Sequence, residues 1–179
     1  KEGRFTKFSE AIQVERAVFD DILLKHAAEQ GAEVREGWTV KRVEQGAEIA
    51  EVLAASDKGE TVSFKARYVI DASGRGNMTG NQEGIREVHP RLKKLAVFGH
   101  FKGVKRDEGP KETDTIIVRL DNKWFWIIPL TAEKTSVGCV MDHAEFGALK
   151  QSPREIFQRF VDSSLPMRER MANAELCGQ

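Results

Sequence analysis

Three short stretches of this sequence carry side chains whose types and spacing suit chemistry. The first is Asp71-Ala72-Ser73-Gly74-Arg75-Gly76, directly behind the apolar triplet Tyr68-Val69-Ile70. If the triplet is a strand, the small residues after it stand at a strand's carboxyl end, where open α/β sheets bind ligands. The two glycines let the backbone approach an anion, Arg75 adds positive charge, and Asp71 can accept hydrogen bonds from a hydroxyl-rich ligand. A plain tight turn is the alternative reading. Gly74, Gly76 and Gly80 also spell a loose G-x-G-x-x-x-G, but the spacing is one residue off the dinucleotide fingerprint. No amphipathic helix is expected behind it, so that fingerprint is rejected.

The second stretch is Trp124-Phe125-Trp126-Ile127-Ile128-Pro129. Strand alternation puts Trp124, Trp126 and Ile128 on one face and Phe125 and Ile127 on the other. Two neighbouring indoles make a flat, dry, electron-rich wall, and Pro129 ends the ladder. The competing reading is an aromatic strand that is simply sheet core. The third feature is Arg16, near the start of a helix, where the helix dipole favours acids. A phosphate or flavin partner would explain it, and so would an ion pair with Asp20 or a solvated arginine. His26, His89, His100 and His143 lack metal-ligand spacing, and no metal site is expected. His26 falls on the apolar edge of its helix, as a core histidine does, and Cys139 reads as a small buried hydrophobe. There is no H-E-x-x-H, G-x-S-x-G or P-loop.

The elements that must position these residues follow from periodicity. A helix is expected over Gln13–Gln30, with Val14, Val18, Phe19, Ile22, Leu23 and Ala27 as its apolar stripe. Asp21 and Lys25 pair at i,i+4 on its solvent side, and Gly31 ends it in the left-handed region. Strands at Trp38–Val43, Ile49–Ala54 and Thr61–Phe64, separated by Glu44-Gln45-Gly46 and Asp57-Lys58-Gly59, predict a small antiparallel meander. Tyr68-Val69-Ile70 reads as a strand buried on both faces. Longer strands follow at Leu95–Val104, Thr115–Leu120, Lys123–Leu130 and Thr135–Met141, with a tight hairpin at Asp121-Asn122. Gly103–Asp114, rich in charge, Gly and Pro, reads as a loop. Ser152-Pro153-Arg154-Glu155 is a capping box opening a helix whose buried face is Ile156, Phe157, Phe160 and Val161. A further helix starts near Pro166. The class is α+β, and no complete doubly wound domain is present.

Composition sets the limits. The chain has 179 residues with 28 Lys+Arg against 28 Asp+Glu, so it lacks the basic excess of a nucleic-acid binder or polybasic membrane anchor. At 40% hydrophobic it can build a core, yet no apolar run approaches the roughly 20 residues of a membrane span. The only cysteines, Cys139 and Cys177, make neither a metal pair nor a disulfide framework, which fits a reducing cytoplasm. No signal peptide opens the chain, and its start at Lys1 reads as an excerpt of a longer protein.

Three segments together carry a family resemblance. Val14-Glu15-Arg16-Ala17-Val18-Phe19-Asp20, with Leu23-Leu24 and Gly31-Ala32 behind it, resembles the V-x-R-x-x-F-D helix of flavin-dependent oxidoreductases with the p-hydroxybenzoate-hydroxylase-like fold. This branch includes geranylgeranyl reductases and flavin-dependent halogenases. Val69-Ile70-Asp71-Ala72-Ser73-Gly74-Arg75 is similar to its second flavin-contacting motif, and Trp124-x-Trp126-x-Ile128-Pro129 resembles the W-x-W-x-I-P motif of halogenases. The resemblance implies a central part of such an enzyme, in which a separate reductase supplies reduced FAD. O2 and halide then yield hypohalous acid, which a lysine presents to an electron-rich ring, free or tethered to a carrier protein. By this analogy Arg16 contacts FAD, Asp71, Gly74 and Arg75 line its ribityl-pyrophosphate side, and the backbone at Val40 meets adenine. Trp124 and Trp126, with Pro129, would separate flavin from substrate. Residues 1–80 would then be a partial FAD-binding domain and 81–179 a substrate domain. The G-x-G-x-x-G and the C-terminal Gly-Asp motif of the family are missing, and the catalytic lysine is expected upstream, assigned to neither Lys1 nor Lys7. An aromatic monooxygenase or a geranylgeranyl-reductase-like enzyme of the same fold is the alternative.

Overall fold

The computed structural model describes residues 12–89 and 92–178. It divides into two compact units: Asp21–His89, and the described residues up to Asp20 together with those from Leu92 onward. Helix and sheet are mixed throughout, as the α+β expectation requires.

Helix α1 (Arg16–Glu29) starts three residues later than the apolar spacing predicts. The Asp21–Lys25 pair forms at 2.7 Å, and Gly31 adopts φ +95° while the Ala32 N–H returns to the Ala27 carbonyl, a left-handed stop. The stripe, however, is not buried. No α1 residue is buried, and Val18 and Ile22 are each 57% exposed. Periodicity reports that a face is apolar, not that this chain supplies its cover. His26 is likewise no core histidine: it is exposed and lies 3.7 Å from Glu29.

Strands β1 (Trp38–Gln45), β2 (Ala50–Ser56) and β3 (Thr61–Ala66) form the expected antiparallel meander, in the order β1-β2-β3. A register shift between Val40 and Arg42 bends β1. The strand expected at Tyr68-Val69-Ile70 does not form. Tyr68 is 86% and Ile70 89% exposed, and no described strand pairs with them. An apolar triplet becomes a ladder only when neighbouring edges satisfy its N–H and C=O groups, and no described residue offers one here. Behind it come a single 3₁₀ turn at Gly74–Gly76 and the five-residue helix α2 (Met78–Gln82), too short and too polar to be an amphipathic dinucleotide-binding helix.

In the larger unit β4 (Lys94–Lys102), β5 (Ile116–Leu120), β6 (Lys123–Pro129), β7 (Thr135–Asp142) and β8 (Glu175–Gly178) make one antiparallel sheet, ordered β5-β6-β7-β4-β8. Asp121-Asn122 closes the β5–β6 hairpin, with Asn122 at φ +54°. Three short helices follow β7: α3 (His143–Leu149), α4 (Pro153–Asp162) and α5 (Leu165–Met171). One sheet face, with Phe125, Ile127, Val137, Cys139 and Met141 at 0% exposure, packs against Ile156, Phe157, Phe160 and Val161 of α4 and Met167 of α5. Phe157 stacks on Phe101 and meets Phe125 edge-on, both at 5.6 Å. The Ser152–Glu155 capping box opens α4 as its sequence requires.

Candidate functional site

In the smaller unit a groove of about 640 Å³ runs between the meander and the Asp71 segment, lined by Val40, Val43, Val69, Asp71, Gly76 and Asn81 among others. Asp71 builds this wall. Its Oδ1 accepts the Ser73 N–H at 2.9 Å, and its Oδ2 accepts the Thr79 N–H at 2.8 Å and the Thr79 hydroxyl at 2.6 Å. Donors from Ser73 first, then Thr79, hold this carboxyl far below the usual carboxylate range. The Ser73 hydroxyl in turn accepts the Met78 N–H, and the Asn81 amide donates to the Gly76 carbonyl at 2.7 Å. Gly74 sits at φ +58°, a conformation that side chains resist. The Gly74 and Arg75 N–H groups donate no hydrogen bond among the described residues, and both residues are exposed.

Gln82 ties this turn to the meander. Its Oε1 accepts the Val43 N–H at 2.9 Å and its Nε2 donates to the Val43 carbonyl at 2.6 Å, so one side-chain amide imitates a β-ladder partner. Of the residues expected to hold a nucleotide, Val40 and Asp71 share the groove, and Gly74 and Arg75 form the 3₁₀ turn next to it. Arg16 belongs to the other unit, where it forms a bidentate pair with Asp20, Nε to Oδ1 and Nη2 to Oδ2 both at 3.0 Å. That pair raises the Arg16 pKa.

In the larger unit the two faces of β6 part company. Phe125 and Ile127 are core; Trp124, Trp126 and Ile128 are half-buried on the opposite face, and Pro129 is buried where the strand ends. The reading of the strand as core therefore applies to Phe125 and Ile127 and not to the indoles. Trp126 lies across Gly138 of β7, donates Nε1–H to the Ser136 hydroxyl at 3.1 Å, and meets Phe98 with ring centres 6.0 Å apart. Phe98 at 51% and Ile117 at 58% exposure extend this into an open aromatic face. Cys139, on the core side, has its thiol pushed up to about 12 by burial, as an inert small hydrophobe should. Among the described residues no cluster of His, Cys, Asp and Glu could hold a metal ion, and no helix is long and apolar enough to cross a membrane.

An indole-bearing strand with this spacing, downstream of a D-A-S-G-R turn, can be compared with known proteins. The family model for tryptophan halogenase matches residues 1–166. The chain belongs to the tryptophan halogenase family. Curated relatives include a 1H-pyrrole-2-carbonyl-(peptidyl-carrier protein) chlorinase of Pseudomonas fluorescens, 32% identical over 83% of this chain and 34% of the relative. The corresponding brominase of Pseudoalteromonas luteoviolacea is 28% identical, over 93% of this chain and 42% of the relative. Among solved structures, the myxobacterial chondrochloren halogenase CndH, described as a variant of FAD-dependent halogenases, is 32% identical. It superposes with a TM-score of 0.83 over 96% of this chain and 41% of its own. The chain thus spans well under half the length of these halogenases, and its fold is theirs, the p-hydroxybenzoate-hydroxylase-like one the sequence resembles. Lys1 and Lys7 lie outside the described residues.

Sequence reasoning missed four positions in this halogenase-family segment. Gln82 gave no signal because a lone glutamine on a short helix has no periodicity. Arg106 stood in what read as a loop, yet its guanidinium donates to the Thr131 and Lys134 carbonyls at 2.7 and 2.9 Å and to the nearly fully buried Thr135 hydroxyl. Lys134 and Glu15 pair at 2.8 Å across 119 residues.

Proposed function

We propose that this chain is the central part of a FAD-dependent halogenase, or a halogenase-like oxidoreductase, that uses reduced FAD, O2 and halide to halogenate an electron-rich aromatic substrate. The observation that carries this reading is the pair of half-buried indoles, Trp124 and Trp126, on the sheet face opposite the core, in a chain whose family match spans it. The smaller unit's groove fits a nucleotide: Val40 and Val43 offer an apolar wall, and Arg75 and the undonated N–H groups of Gly74 and Arg75 suit an anion beside it. FAD, reduced by a separate reductase, would supply the electrons by which O2 oxidises halide.

The chain's own residues bind, orient and exclude. Asp71 spends both oxygens on its own turn, so its part is to fix the turn's shape, leaving hydroxyl recognition to its unused lone pairs. Arg16 would meet the flavin's phosphates with the donors that Asp20 leaves free. Trp124, Trp126 and Pro129 would form a dry wall between flavin and substrate, which hinders direct oxygen transfer and keeps water from the reactive halogen. Residues 1–80 then form part of the FAD domain and 81–179 the substrate side. The substrate class favoured is an electron-rich ring, of which a pyrrolyl group on a carrier protein is one, since two relatives are named for it. The protein acts in the cytoplasm.

The test uses the full-length protein with FAD, a flavin reductase, NADH, chloride or bromide, and either a phenol or a pyrrolyl-loaded carrier. Halogenated product is expected. Hydroxylated product with no halogenated product would replace this reading by that of an aromatic monooxygenase of the same fold. Turnover indifferent to halide on a prenyl chain would replace it by a reductase.

A further inference from the structure

We infer that the Glu15–Lys134 ion pair is a positioning device that sets the Arg16 end of α1 against the turn closing the indole strand. The inference rests on the proposed role of Arg16 as a flavin contact, and every residue in it lies within the larger unit.

Among the described residues the Arg16 guanidinium hydrogen-bonds only to Asp20, one turn along the same helix. Something else must fix where it stands. Glu15 immediately precedes α1, and its carbonyl accepts the Phe19 N–H, so its backbone begins the helix. Its side chain leaves the helix and reaches Lys134 Nζ at 2.8 Å, with both side chains about two-thirds buried (28% and 31% exposed). Two residues earlier, Gln13 Nε2 donates to the Thr115 hydroxyl at 2.7 Å and the Thr113 carbonyl at 3.3 Å, at the entrance to β5. The segment is therefore held at two points on the sheet's rim.

The far partner is itself held firmly. Lys134 closes the turn between β6 and β7: its carbonyl accepts the Leu130 and Thr131 N–H groups and its N–H donates to the Thr131 hydroxyl at 3.0 Å. Arg106 clamps the same turn through Thr131, Lys134 and Thr135. Pro129, opposite Thr135, is the last residue of the strand that bears Trp124 and Trp126. A path of direct contacts thus runs from the indole strand through the turn to the residue before Arg16. A single ion pair that water still reaches adds little to stability, yet it favours one geometry of the groups it joins.

The experiment compares four forms of the full-length protein: unaltered, Glu15→Gln, Lys134→Met, and the exchange Glu15→Lys with Lys134→Glu. FAD affinity is read by flavin fluorescence, melting without FAD by calorimetry, and the start of α1 by hydrogen exchange at residues 16–20. Each single variant is expected to weaken FAD binding about fivefold and to speed exchange at 16–20, with melting nearly unchanged, and the exchanged pair to recover most of both. Unchanged exchange in the single variants, or an exchanged pair no better than the worse single, would overturn the inference. If the unaltered protein fails to bind FAD, the functional reading falls, and exchange at 16–20 decides the positioning role by itself.

Discussion

Replacing Gly138 by alanine puts a methyl group where the Trp126 indole already lies. A Cβ at Gly138 would stand 2.5 Å from Trp126 Cη2 and 2.6 Å from Cε2, with Cζ2 closer still. Carbon atoms rest about 3.5–4.0 Å apart, so the ring must retreat by about 1 Å or more. Retreat strains the Trp126–Ser136 hydrogen bond, worth about 1 kcal/mol net, and the Phe98 ring contact, worth about 0.5–1.5 kcal/mol. With overpacking at about 1–3 kcal/mol, Gly138→Ala should destabilise the protein by about 2–4 kcal/mol. Gly138 is not in the left-handed region, so its backbone tolerates alanine and the whole cost lies in the indole. The assay is denaturant unfolding of Gly138→Ala, Trp126→Leu and the double variant. With the indole gone, the alanine should cost under about 0.5 kcal/mol, a coupling of neighbours in contact. Equal costs in both backgrounds would refute the packing of Trp126 on Gly138.

Gln82→Leu strips partners from the N–H and carbonyl of buried Val43 and should cost about 2–4 kcal/mol in denaturant unfolding. Gln82→Glu, which keeps the acceptor, should cost less. At pH 8 a thiol reagent should modify exposed Cys177 and leave Cys139 unmodified until the protein unfolds, because burial raises the Cys139 thiol to about 12; mass spectrometry of the labelled peptides reads this. Ser152→Ala should cost about 1 kcal/mol by removing the α4 capping box. Ser152 donors hold the Glu155 carboxyl below its ordinary value, so that stabilisation is present above the ordinary carboxylate value and is lost as pH falls through the lowered one; the gap between the unfolding curves of the two proteins should narrow in acid.

What was legible in the sequence is what is local. The α4 cap needs only Ser152 and Glu155 at their spacing, the β5–β6 hairpin only Asp121-Asn122, and the split faces of β6 only alternation. What was illegible depends on partners. Val18, Ile22 and Tyr68-Val69-Ile70 are apolar in sequence and exposed in the structure, because hydrophobicity states a need without naming who meets it. His26 was drawn into the same error by its neighbours on the helix. In the candidate site, Asp71 was found by its motif, but its occupation by Ser73 and Thr79 required knowing how the chain turns back. Gln82 with Val43 and Glu15 with Lys134 are polar pairs 39 and 119 residues apart, and no period or motif links such distances.

The parity of β6 offers a practical rule to anyone reshaping this protein. Odd positions 125 and 127 are foundation, and libraries there would yield mostly collapsed clones. Even positions 124 and 128 can be randomised with the foundation left intact, so new surfaces can be screened cheaply. Position 126 is the exception, because its ring lies over Gly138 and a new side chain there has to be chosen together with the residue at 138.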